Sequence, residues 1–161
     1  MKLSMIQNLA IWGDSLLKGI IFDEKISRYK PLKTCSVNLF SKAFPFTVKN
    51  NSRFGCTAPK ALENLQASLN NGLQAEVALL EFGGNDCDYN WSEISRNPEA
   101  HHEPHTPFQT FCSTMEKMAD QVMAHSIKTV FLNLPPIDGE LYYRWISSLK
   151  DTVPESLLKW M

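Results

Sequence analysis

The chain is predicted to be an α/β domain built on a mostly parallel sheet, on three observations. Apolar runs alternate with amphipathic, helix-like segments along the chain. The run from Glu76 to Phe82 is largely apolar through Val77-Ala78-Leu79-Leu80, as expected of a strand covered by helices on both faces. Polar, glycine-containing stops follow two such runs: Gly13-Asp14-Ser15 after Leu9-Ala10-Ile11-Trp12, and Gly83-Gly84-Asn85-Asp86 after Phe82. Strand followed by helix, repeated, implies parallel pairing through right-handed crossovers.

The first strand spans residues 5–12, and Leu16 to Gly19 form a short helical turn broken by the glycine. Between residues 20 and 45 the expectation is a short helix at 23–29 and an extended piece at 34–40, bounded by Pro31 and Pro45. Phe46 to Asn50 read as a second strand. It leads through Ser52-Arg53-Phe54-Gly55 into a helix capped by Thr57, with Pro59 in its first turn. Ala58, Leu62, Leu65 and Leu69 fall at helical spacing, and Gly72 stops the helix. After the strand at 76–82, a long polar and aromatic loop to Pro104 reads as a lid or substrate segment, or holds a small helix near Trp91. The next helix has Thr106 as cap, Pro107 at its first position, and an apolar stripe of Phe108, Phe111, Met115, Met118 and Val122. Lys128 to Leu134 form the fourth strand, stopped by Pro135-Pro136. Asp138 opens a helix through about Lys150, and Pro154 starts a last short one. That fourth strand would have an exposed edge, and the apolar end Leu157 to Met161 would cover the sheet, meet a partner, or mark a longer protein cut there.

At 161 residues the whole chain, 1–161, is expected to be one domain with a substantial core. A formal charge of −1 with scattered Lys and Arg argues against nucleic acid or an anionic membrane as partner. Cys35, Cys56, Cys87 and Cys112 contain no CxxC unit, so free thiols in a reducing cytoplasm are expected. Gln7 and Asn8 interrupt the opening apolar segment, unlike a secretory leader, and no stretch is long enough to span a bilayer.

Ligand sites in parallel α/β sheets lie beyond the carboxyl ends of the strands, where Ser15 would sit at the start of a helix. Asp14 or Ser15 can serve there simply as a helix cap. The other loops at that end add chemistry. Backbone N–H groups of Ser15 and Gly55, with the Asn85 amide, would make a three-donor oxyanion hole. Loss of one such donor costs on the order of 3 kcal/mol in hydrolases.

GDS at 13–15, Gly55 in SRFGCTA and GGND at 83–86 resemble the first three sequence blocks of the GDSL, or SGNH, hydrolases. The resemblance covers nearly the whole chain. It implies a three-layer, flavodoxin-like fold with parallel strands in the order 2-1-3-4-5, and a serine esterase or lipase acting on acyl or acetyl esters of lipids or carbohydrates. By position it makes Ser15 the nucleophile and Gly55 and Asn85 oxyanion donors. Asp14 would orient the turn, and Asp86 would brace the loop carrying Asn85. No cofactor is implied.

The family's fourth block, an Asp with a His three residues later, has no counterpart here. Its last strand and helix are expected to be missing too, which makes the chain a C-terminally incomplete domain whose base would come from polypeptide beyond Met161. A serine hydroxyl without a base is a poor nucleophile at neutral pH. His125 falls at the opposite end of the sheet, whereas His101, His102 or His105 could reach the site from the loop after Asn85. A metal cluster of these with Glu103, Cys87 or Asp88 has only weak spacing behind it. Tyr89, Trp91 and Tyr142, with Tyr143 and Trp145, are candidates to hold an acyl chain or a sugar face, although helical spacing of Tyr142 and Trp145 also suits packing. The alternative function is a non-catalytic ligand-binding or scaffold domain that keeps the pocket. The exposed strand also leaves homo-oligomerisation open.

Overall fold

The computed structural model describes residues 6–160. The start of the first expected strand at residue 5, the leader reading of residues 1–5 and Met161 lie outside the described residues. In chain order the first half contains β1 (Asn8–Trp12), α1 (Ser15–Lys18), β2 (Ile20–Asp23), β3 (Arg28–Pro31), α2 (Ser36–Ala43) and β4 (Thr47–Asn50). The second half contains α3 (Ala58–Asn70), β5 (Val77–Leu80), α4 (Trp91–Arg96), α5 (Phe108–Ala124), β6 (Lys128–Phe131), α6 (Gly139–Ser147) and α7 (Pro154–Leu157), ending in a 3-10 turn at Leu158–Trp160.

The main sheet has the order β4-β1-β5-β6, and every pairing is parallel. Asn8 lies opposite Thr47, Leu9 opposite Val77, and Val77 opposite Lys128. Because side chains alternate along a strand, β1 and β5 feed two cores. Ala10, Trp12, Ala78 and Leu80 pack under Leu65 of α3 and Met118 and Val122 of α5. Leu9, Ile11 and Val77 point the other way, against Leu17 of α1 and Val37 of α2. Helices on both faces of a parallel sheet make the three-layer α/β fold that was expected.

Two local expectations fail in the stretch before β4. Instead of a helix at 23–29, β2 and β3 form an antiparallel hairpin, with Ile20 opposite Pro31. Asp23 turns the chain by accepting the Lys25 N–H at 3.0 Å, and Ser27 takes a left-handed φ of 49°. The cross-strand pair Phe22–Tyr29, with centroids 5.2 Å apart, is the type of contact that stabilises a hairpin over a helix. Residues 36–43, expected to be extended at 34–40, form α2, because a helix lets Val37 reach the sheet core.

The two threonine caps also differ from expectation. Neither Thr57 nor Thr106 caps its helix through its side chain. Asp86 Oδ1 instead accepts the first α3 amide, Ala58 N–H, at 2.9 Å, and Pro107 holds the cap position of α5. Asp138 does cap α6, accepting Leu141 N–H at 2.9 Å. The small helix near Trp91 is α4. Leu157 packs between Ile94 and Ile146, so the apolar end covers α4 and α6 rather than the sheet. Among the described residues β6 pairs only with β5, and Val130 and Phe131 are exposed along it.

Leu65 is completely buried between α3 and the sheet. Leu65→Ala is expected to lower stability by about 2–5 kcal/mol in urea denaturation, with the secondary structure retained.

Candidate active site

The turn out of β1 packs closely on its neighbours, and a side chain in place of its glycine would have to displace them. A Cβ on Gly13 would lie 2.8 Å from Glu81 Oε2 and 2.9 Å from Leu17 Cδ1. Asp14 follows as the N-cap of α1, and its Oδ1 accepts Leu16 N–H at 2.8 Å. Its Oδ2 accepts from Asn85 Nδ2 at 2.9 Å. One buried carboxylate thus joins the turn after β1 to the turn after β5. Ser15 is the first helical residue, half-buried, and its N–H has no intramolecular acceptor among the described residues.

Asn85 is held on both amide hydrogens, since Nδ2 also donates to the Cys56 carbonyl at 3.3 Å. Asp86 is buried behind it. Its Oδ1 takes the α3 amide already described, and its Oδ2 accepts Gly83 N–H at 3.2 Å. Gly55 lies in an exposed left-handed turn, φ 64°, with open space around it. It does not line the cleft that Asp14, Ser15 and Asn85 share.

That cleft has a volume of about 710 Å³. Tyr89, Trp91, Tyr142 and Trp145 form one wall with Trp160, and Leu134 to Ile137 contribute another. The wall hangs on Asp88. Its Oδ1 accepts from Tyr89 N–H at 2.9 Å, Trp91 Nε1 at 2.7 Å and Tyr142 Oη at 2.5 Å. Behind these rings lies the small core of Ile94, Ile146 and Leu157. Trp145 stacks on Tyr142 with ring planes 23° apart and stays largely exposed.

No family model and no curated protein matches the chain. Solved structures do. A carbohydrate acetylesterase family member from Sinorhizobium meliloti superposes with a TM-score of 0.61 at 17% identity, covering 94% of this chain and 74% of that one. The lipase/acylhydrolase from Enterococcus faecalis gives a TM-score of 0.60 at 16% identity, covering 95% of this chain and 68% of that one. A GDSL-like lipase from Bacteroides thetaiotaomicron gives 0.52 at 14% identity, covering 78% of this chain. The fold is that of the GDSL-type hydrolases. The chain spans 47% of the length of the Bacteroides lipase.

Within this GDSL-type fold, no histidine among the described residues lines the cleft beside Ser15. His101 faces Glu103 at 3.6 Å, and His102 Nε2 meets the Asn97 carbonyl at 2.8 Å with its ring against Trp160. His105 comes nearest in the chain of contacts. Its Nδ1 meets the Asn85 carbonyl at 3.1 Å, and its backbone N–H donates to Asp88 O at 2.8 Å, yet its ring is exposed outside the cleft. None of the three histidines that the sequence offered as able to reach the serine lines its cleft among the described residues. His125 closes α5, away from the site. Among the described residues, no group of three His, Cys, Asp or Glu side chains could hold a metal ion. Burial pushes the Cys87 thiol up, with Asp88 adding to the shift, which disfavours the thiolate.

Sequence reasoning missed the structural roles of two residues, offering Asp88 only as a metal ligand and passing over Glu81. Asp88 organises the aromatic wall, and its flanking tyrosine and nearby tryptophan were its only signal. Glu81 was visible as a lone acid in an apolar strand end. It lies under the turn after β1, its Oε2 3.4 Å from Asp14 N, while Oε1 has no partner. Burial first, then the Asp14 charge, pushes its carboxyl up to about 7. Burial also raises Asp14, while its bonds from Leu16 and Asn85 oppose the shift.

A carboxyl that is harder to ionise when folded makes the native state hold its proton longer than the unfolded chain. Glu81 therefore contributes stability that is complete below its ordinary 4.5 and is lost as pH rises through about 7. Glu81→Gln is expected to flatten the decline in thermal midpoint between pH 4.5 and about pH 7, the interval between the two values. An unchanged slope would place the titration elsewhere. Asp88→Ala, which strands three donors, should lower stability by about 1–3 kcal/mol and shift tryptophan emission to the red.

Proposed function

We propose that the chain is a serine ester hydrolase of the GDSL, or SGNH, type, working through an acyl-enzyme at Ser15. The observation that carries this reading is the Asp14 bridge. It sets a serine at a helix N-terminus beside a fixed asparagine amide, at the mouth of an aromatic cleft. The fold shared with esterases and lipases supports it.

In this mechanism Ser15 Oγ bonds to the ester carbonyl carbon while its proton passes to a base. The carbonyl π pair moves onto oxygen, then returns and expels the alkoxide, which takes the proton and leaves as the alcohol. Water repeats the sequence on the acyl-serine and releases the acid. The negative oxygen is met by the free N–H of Ser15 and by Asn85, whereas Gly55, outside the cleft, contributes no donor. Asn85 can swing the hydrogen it gives to Cys56 O at 3.3 Å toward the oxyanion while keeping its shorter bond to Asp14. Tyr89, Trp91 and Tyr142 would receive the acyl chain or the sugar face of the ester. The chemistry uses no cofactor. No helix among the described residues is long and apolar enough to cross a membrane.

One observation favours a second reading, a binding module that retains the cleft: the described residues set no imidazole at Ser15. A fluorophosphonate separates the two. Ser15 Oγ displaces fluoride at phosphorus, and the serine proton leaves with it. Stoichiometric labelling, abolished in Ser15→Ala and accelerated by added imidazole as a soluble base, is expected for the hydrolase. Absence of labelling with and without imidazole, together with tryptophan quenching on addition of an aryl ester, would establish the binding module instead.

A further inference from the structure

A second cleft of about 690 Å³ lies at the other edge of the sheet, and the reaction proposed for Ser15 does not use it. It exists because α3 covers β1 and β5 but not β4. The side of β4 turned toward Val37 carries Val48, whereas the side turned toward α3 carries Thr47 and Lys49 and continues into Asn51. The result is a polar groove with Lys49 and Asn51 on its floor and Asn64, Ser68 and Asn71 of α3 and its C-terminal end along one wall.

Three cations line it: Lys18, Lys49 and Arg53. None of them makes an ion pair among the described residues. Among the described residues no carboxylate lines it, in a chain where seventeen Asp and Glu nearly balance sixteen Lys and Arg. A lysine on an edge strand can simply discourage strand pairing. That account leaves two buried polar atoms unexplained. Ser52 is 1% exposed and lines the groove, yet its Oγ has no hydrogen-bond partner. Asn51 Nδ2, also in the lining, is buried without an acceptor. Unpaired buried donors beside uncompensated cations are complementary to an anionic oxygen group.

The loop is held in place without the ligand. Asn50 Oδ1 accepts Ser52 N–H at 2.9 Å, Asn50 Nδ2 donates to Leu17 O at 2.9 Å, and Arg53 N–H donates to Gly13 O at 3.1 Å. Lys18 and Arg53 therefore sit on the segments that carry Ser15 and Gly55.

We propose that this groove is a binding site for a small anionic polyol, a sugar phosphate in size and chemistry. Its phosphate meets Lys18, Lys49, Arg53 and Ser52, and its hydroxyls meet the amides of α3. The site is independent of turnover at Ser15, so it stands or falls by binding alone.

Amide chemical shifts of the full chain would be followed during titration with glucose 6-phosphate, inorganic phosphate and glucose, against sodium chloride at matched ionic strength. Saturable shifts at Lys49 to Arg53 with glucose 6-phosphate, absent with chloride, are expected. Affinity should fall about tenfold in Arg53→Gln or Lys49→Gln and also weaken in Ser52→Ala. Glucose 6-phosphate binding at least about tenfold tighter than phosphate supports recognition of the sugar as well as the charge. Equal affinity overturns the polyol part and leaves a site for the bare anion. Shifts no larger than those with chloride, or equal shifts with glucose, overturn the proposal, and this mapping on the unaltered chain needs no variant to fold.

Discussion

The Asp14 carboxylate is the interaction on which the site depends. One oxygen caps the short helix that presents Ser15, and the other fixes Asn85, seventy-one positions along the chain. Without it, α1 would be a four-residue helix with little internal support, since one turn of helix does not repay its own ordering. Gly13 makes the approach possible, and the Asp14 backbone carbonyl accepts Lys18 N–H at 3.1 Å to close the turn. Ser15 and the Asn85 amide are therefore set by a single buried group rather than by two independent loops.

That arrangement concentrates acid. Asp14, Glu81 and Asp86 are all nearly inaccessible to solvent, and Asp14, which lines the cleft, feels the charge of Asp86 and lies against Glu81. Asp86 is well supplied with donors from Ala58 and Gly83. Glu81 is not, having one long bond and one unpartnered oxygen. Burial and the neighbouring Asp14 charge make Glu81 hold its proton to higher pH than an ordinary carboxyl.

Much of this was legible from residue order. The four parallel strands and the amphipathic helices α3 and α5 follow from runs such as Val77-Ala78-Leu79-Leu80 and from the stripe through Met118 and Val122, whereas the strand order was implied by the resemblance to the GDSL hydrolases. Ser15, Asn85 and the three aromatic residues come to one cleft because each follows the carboxyl end of a strand. Gly55 does not join its walls. The segment before β4 was misread because propensity decides little there. Val37 is drawn into a helix by the sheet core, and Phe22 and Tyr29 pair only because Asp23 turns the chain. The caps were misassigned for a related reason. The acceptor for Ala58 N–H is Asp86, twenty-eight residues away, and nothing local to Thr57 reports a distant carboxylate.

The β2–β3 hairpin has a consequence for motion. It stands outside the main sheet, every residue of β3 is exposed, and its base is tied at Leu32 N–H to Gly19 O. Segments with so little buried area open first as a protein fluctuates. Tyr29 rests against Phe54, centroids 5.0 Å apart, one residue before Gly55. Opening of the hairpin releases that ring contact, so motion of the strand pair passes to the exposed loop after β4 and leaves the Asp14–Asn85 bond in place.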